Sequence, residues 1–156
     1  MPALVDNYLM PIFVPYPQPQ NMPTSSLLYT GQSRTKAIHS HSGSGIITDA
    51  PLDNQGLAQA FSPTDLVATA LASCMLTVMG IKARDMGYTL EGTTAEVIKE
   101  MASAPRRIAA VTIHIRFANS AEENSRKILE ATALHCPVAK SLHPDIQQDI
   151  QFYWPV

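Results

Sequence analysis

Residues 62–87 read SPTDLVATALASCMLTVMGIKARDMG, and the reading of this stretch decides the fold. Its start is well marked. Ser62 can accept a free backbone N–H at a helix start, Pro63 suits the first helical position, and Asp65 stands where a capping-box acid reaches back. Its end is marked too, because Gly87 accepts the left-handed conformation of a helix C-cap. The spacing predicts one helix running to about Met86. Leu66, Val67, Ala70, Leu71, Cys74, Val78 and Ile81 recur with the helical period, but the positions between them are also apolar. A helix apolar nearly all round is buried on most sides, so it is read as central, wrapped by sheet or by a second subunit.

Upstream, LLYTG and RTKAIHSH read as a hairpin about Gly31, and SGSG turns the chain into the β-branched GIITDAP. Leu52–Ala60 reads as irregular. Downstream, TTAEVIKEM and RIAAVTIHIRF alternate as strands about an APRR turn. SAEE then opens a second helix, with Ser120 as cap and Glu123 completing a capping box, to end near Leu134. A short turn begins at Cys136-Pro137, and DIQQDIQFYW makes a final strand. The order is three strands, long helix, two strands, helix, strand: an α+β chain with mostly antiparallel pairing. Six of the twelve prolines fall within Met1–Pro23, which reads as an extended arm ahead of a folded domain at 24–156.

The 156 residues suit one domain with a proper core, and 46% apolar with 15% charged is a globular composition low in charge. A net charge of −2, without a basic run, points to neither nucleic acid nor an anionic membrane surface. Two cysteines are too few for a secreted disulfide scaffold, and Met1–Pro23 lacks the pattern of a signal peptide, so a cytoplasmic protein with reduced thiols is expected.

Those two cysteines carry the chemistry. A free cysteine is often only a small hydrophobe, and Cys74 sits mid-helix among alanine, leucine and methionine, where burial raises a thiol's pKa. Cys136 precedes Pro137 and so takes a helix N-cap position, where free N–H groups favour a thiolate. Read locally, Cys136 is the more reactive sulfur. His39 and His41 share one strand face but find no third metal ligand; His114 and His143 offer less, while His135 adjoins Cys136. No Gly-rich phosphate loop and no GxSxG elbow is present. Arg34, Arg84, Arg106, Arg107, Arg116 and Arg126 are the guanidinium candidates beside a thiolate, with Arg126 read as solvated helix surface and Arg106-Arg107 as a solvated turn.

SPTDLVATALASCM resembles the OsmC/Ohr pattern, in which a proline-led helix start is followed eleven residues on by a cysteine, and ALHCPVAKSLHPDI around Cys136 resembles the family's second motif. The resemblance spans roughly Thr24 to Trp154. It implies an OsmC-like α+β fold, with strands of both chains wrapped around two long central helices in an intertwined homodimer. It also implies reduction of organic hydroperoxides, with Cys74 as the peroxidatic residue, Cys136 as the resolving one, an external dithiol as reductant, and no metal or organic cofactor. In peroxidase members an arginine beside the thiolate is held by a glutamate directly after the helix-start proline. Thr64 stands at that glutamate's position, the acid comes one residue later as Asp65, and Arg34 is the nearest match to the arginine. Leu71, Met75 and Val78 are the expected lining of an apolar substrate pocket. Two other readings compete: a non-catalytic dimer that binds an apolar small molecule or senses oxidative stress, motivated by Thr64, and a metal-binding protein using His39, His41 and a cysteine.

Overall fold

A computed structural model describes residues 22–156, so the reading of the proline-rich arm lies outside the described residues but for Met22 and Pro23. Strands β1 (Ser25–Gly31) and β2 (Arg34–His39) form the expected hairpin. Gly31, Gln32 and Ser33 all adopt positive φ, which turns the chain sharply enough to pair Gly31 with Arg34. Strand β3 (Gly45–Asp49) returns antiparallel beside β2, in a register that sets Arg34 opposite Asp49. His41 falls in the turn between these strands and not on β2, so the two histidines do not share a strand face.

The segment between β3 and the long helix is irregular apart from one 3-10 turn at Leu52–Asn54. It doubles back tightly. The N–H of Gly56 donates to the Pro51 carbonyl at 3.0 Å, and that of Ala58 to the Ala50 carbonyl at 3.2 Å. A Cβ at Gly56 would lie 1.7 Å from the Ala50 carbonyl oxygen, so only glycine permits the fold-back.

Helix α1 (Pro63–Asp85) begins as the sequence predicts. The Asp65 N–H donates to Ser62 Oγ at 3.1 Å, and the Ser62 N–H donates to Asp65 Oδ2 at 2.8 Å, a complete capping box. Gly87, at φ 77°, releases the chain after the C-cap. Ala68, Leu71, Ala72, Met75, Met79 and Ala83 form its buried face. The helix is long and apolar enough to cross a membrane by length and composition, but that face is core, packed against β-sheet and a second helix. Another face, with Val67, Ala70 and Ile81, is open in the single chain, and the sheet alone does not cover it.

Strands β4 (Thr94–Ser103) and β5 (Arg106–Arg116) pair antiparallel, and the alternation read from RIAAVTIHIRF sends Ile108, Val111, Ile113 and Ile115 inward. Helix α2 (Glu123–Leu134) starts later than expected. Ser120 does not cap it. The Ala121 carbonyl accepts Arg126 Nε at 2.6 Å, which fixes that residue outside the helix, and Glu122 becomes an N-cap without a side-chain bond. Arg126, read as solvated, is half-buried, with its guanidinium carbon 5.5 Å from the Trp154 ring centre. Helix α3 (Pro137–Ser141) follows, and strand β6 (Gln147–Tyr153) ends the fold. Strand β6 pairs with β5 in parallel, the one departure from antiparallel pairing among the described strands. Parallel neighbours need a crossover, and α2 with α3 supplies it.

Two three-stranded sheets result, β1-β2-β3 and β4-β5-β6. The core lies between α1, α2 and the second sheet. The first sheet leaves Leu27, Leu28, Tyr29, Ile46 and Ile47 exposed on both of its faces.

Candidate active site

Cys74 lies near the middle of α1 and is half-buried; Cys136 is the N-cap of α3 and is buried. Sixty-two residues separate them in sequence, yet α1 packs against α3 and Cys74 lies against the core cluster that holds Cys136. The cap predicted for Cys136 is formed, since the Ala139 N–H donates to its sulfur at 3.4 Å. Its electrostatic consequence is reversed. Burial pushes the Cys136 thiol up; the Ala139 N–H opposes this, but interaction with Cys74 adds to the rise. A helix of five residues has little dipole to set against desolvation, so the cap does not make Cys136 the thiolate expected of it. Cys136 remains a protonated thiol at neutral pH. His135 does not counter this: it is exposed, and its Nδ1 bonds the Ala131 carbonyl at 2.8 Å.

Arg34 and Asp65, paired in the sequence reading, are not partners. Asp65 binds Lys99, whose Nζ donates to Asp65 Oδ1 at 2.7 Å, to Thr64 Oγ1 at 2.8 Å and to Ser62 Oγ at 3.4 Å. Burial acts to raise the Asp65 carboxyl, but hydrogen bonds from Lys99 and Ser62 outweigh it and hold the group below the usual carboxylate value. Arg34 instead meets Asp49 across the strand pair, at 2.9 Å from Nη2 to Oδ2. The Arg34 hydrogen bond, aided by the Gln59 backbone N–H, keeps Asp49 ionised well into the acid range.

Asp49, Gln59 and Lys99 were missed from sequence. The signal for Asp49 was present: in a hairpin that sets Ile38 opposite Gly45, counting back four residues sets Arg34 opposite Asp49. Lys99 could not be found by such counting, because its partners lie more than thirty residues away.

Leu71 and Met75 do not line an open pocket. Both are wholly buried in the core, and only Val78 of the expected lining is half-exposed. A cavity of about 520 Å³ lies elsewhere, over the first turns of α1, bounded by Gln59, Phe61, Asp65, Ala68, Val97 and Lys99. Cys74 follows Asp65 by nine residues, which the helical period carries about half a turn around α1. His39 and His41 have ring centres 6.4 Å apart, and no group of three metal-ligating side chains occurs among the described residues.

Residues 55–151 match the OsmC-like protein family, well over half of the chain. This chain belongs to that family. Its fold is similar to a crystal structure from Psychrobacter arcticus 273-4, a candidate osmotic stress induced and detoxification response protein. The two share 57% identity and a TM-score of 0.83, over 86% of this chain and 98% of that one. Two remoter OsmC-like structures share the fold alone. One is the organic hydroperoxide resistance protein OsmC of Legionella pneumophila, at 16% identity and a TM-score of 0.68, over 86% of this chain and 99% of that one. The other is the organic hydroperoxide resistance protein OhrB of Bacillus subtilis, at 13% identity and a TM-score of 0.60, over 83% and 97%. No curated protein sequence matches. The α+β architecture read from the sequence is therefore that of the OsmC-like proteins.

Proposed function

We propose that this OsmC-like protein is a thiol-dependent peroxidase that reduces organic hydroperoxides as a homodimer. One observation carries the reading: two thiols far apart in sequence belong to helices that pack together, Cys74 half-exposed against the core cluster and Cys136 buried within it. Cys74 as thiolate attacks the distal peroxide oxygen; the S–O bond forms, the O–O bond breaks, and the alkoxide leaves as alcohol after taking a proton. The Cys74 sulfenic acid then condenses with Cys136, forming a disulfide and releasing water. An external dithiol reduces that disulfide, its own two sulfurs becoming oxidised. A resolving thiol gains from staying protonated until the sulfenic acid forms, because it does not compete with Cys74 for peroxide. Arg34 is the cation assigned to the Cys74 thiolate in the assembled dimer. Dimerisation gains support from the apolar residues left open on the first sheet and along α1.

The test uses cumene hydroperoxide with dithiothreitol. Hydroperoxide consumption above the thiol blank is expected. The Cys136→Ser variant should accumulate a Cys74 sulfenic acid that dimedone traps, where the wild type gives an intramolecular disulfide. Absence of both consumption and trapped adduct refutes the reading.

A second reading, a dimer that binds an apolar small molecule without chemistry, draws on the cavity of about 520 Å³ bounded by Phe61, Ala68 and Val97. It requires that an apolar ligand raise the melting temperature while peroxide leaves both thiols untouched.

A further inference from the structure

A second cavity, of about 280 Å³, opens where the two sheets meet, and it shares no lining residue with the one over the first turns of α1. Strand register builds one wall of it. Tyr29 lies opposite Thr35 and Thr35 opposite Thr48, so these residues form a row across β1, β2 and β3 on one face of the first sheet. The fold-back supplies Pro51 and Asn54, the start of α1 supplies Thr64, and Met101 and Arg106 come from either side of the β4–β5 turn. Thr48 is buried and Thr35, Thr64 and Met101 are half-buried, whereas Tyr29, Asn54 and Arg106 stand exposed at the mouth.

The polar groups of this cavity are donors with protons to spare. Thr35 Oγ1 and Thr48 Oγ1 share a single hydrogen bond, which uses one O–H proton of the pair and leaves the other. The Tyr29 hydroxyl accepts the Ser33 N–H at 3.2 Å, and its own proton finds no acceptor among the described residues. Arg106 Nη2 donates to Asp53 at 3.0 Å; no other hydrogen bond engages that guanidinium, or the Asn54 amide, among the described residues. In the first turn of α1 the Asp65 and Leu66 N–H groups go to Ser62, and that of Thr64 has no acceptor among the described residues. No acidic side chain bounds the cavity. Asp49 follows Thr48 and so faces the other side of its strand, while Asp65 is bound to Lys99. Unused donors around one guanidinium, with no carboxylate in the wall, fit an acceptor that carries negative charge. Pro51, Pro63 and Met101 give the same cavity an apolar side, and its volume is at the small end for a ligand site.

We propose that this cavity binds a small monocarboxylate with a short apolar tail. The carboxylate faces the donors of Arg106 and of the Thr35–Thr48 pair, and the tail lies against Pro51, Pro63 and Met101. A single guanidinium, already shared with Asp53, matches a singly charged group better than a phosphate dianion. Neither thiol takes part, so the site stands apart from the peroxidase reading.

Ligand-observed NMR titration of the full chain near neutral pH tests it. The probes are hexanoate and benzoate, hexanol and benzyl alcohol as their neutral counterparts, and inorganic phosphate. At least one acid should bind with a Kd of about 1 mM or tighter, and its alcohol about tenfold more weakly, the order of effect of one charge-assisted hydrogen bond. Arg106→Gln should weaken that acid about tenfold and Thr48→Val about threefold, while Arg116→Gln, at the far end of β5, should leave it unchanged. If Arg106→Gln does not fold, Arg106→Lys is read in its place, with weaker binding expected because the planar fork is lost. Failure of both acids to bind overturns the proposal. So does an alcohol that binds as well as its acid, phosphate that binds more tightly than either acid, or binding indifferent to Arg106 and Thr48.

Discussion

Leu71→Ala separates a core residue from a substrate contact. Leu71 is 0% exposed on the buried face of α1 and belongs to the cluster that includes Met75, Ile113 and Leu129. The substitution removes three carbons, each contributing about 0.8 kcal/mol through burial, and leaves a cavity that the surrounding helix and strands fill only in part. The two effects together give a loss of about 3–4 kcal/mol. For a chain of this length that corresponds to a fall of roughly 10 °C in melting temperature. Urea titration followed by far-ultraviolet circular dichroism measures it, with protein concentration held constant because the proposed dimer would make apparent stability concentration-dependent. The KM for cumene hydroperoxide should stay within about twofold of wild type, a factor of two being well under 1 kcal/mol. A loss below about 1 kcal/mol together with a raised KM would place Leu71 in a substrate cleft and refute the assignment to the core.

Two further outcomes follow from the charge pairs and the fold-back. Asp49 and Asp65 are both held below their ordinary values, so each contributes stability that is present above about pH 4 and lost as pH falls through its folded value. The urea midpoint should therefore be level near neutrality and drop in acid, and Asp65→Asn should make that drop shallower; an equally steep drop contradicts the Lys99 pairing. Gly56→Ala should force the segment between β3 and α1 open, at a cost of about 1–3 kcal/mol for an overpacked site, and expose it to limited proteolysis. Unchanged resistance to protease would contradict the tight contact with Ala50.

Helix α1 was legible because its boundaries are chemical: Ser62, Pro63, Asp65 and Gly87 each do locally what the structure shows them doing. Which of its faces is core was not legible, since apolar residues surround it and the sequence gives no direction to the burial; hence Leu71 and Met75 were expected in a pocket. The start of α2 was missed because the hydrogen bond from Arg126 to Ala121 competes with the Ser120 cap, and only the folded geometry shows which prevails. The parallel placement of β6 depends on which strand edge is vacant once the rest has folded. The two thiols were found from their motifs, but the rise in the Cys136 pKa depends on burial that a local reading of the N-cap did not include. Arg34 pairs with Asp49 and not with Asp65 because the register of β2 on β3, which the helix-start motif does not encode, sets its partner.

Links that carry a chain from one parallel strand to the next are usually the segments where evolution adds or deletes residues most freely. In this protein such a link holds a sulfur at a helix cap, packed into the interior midway along its path. Any change in its length displaces that atom before it disturbs the sheet. Family members that keep the sulfur should therefore show near-constant spacing between it and the last strand, while variation in length collects at the hairpin turns.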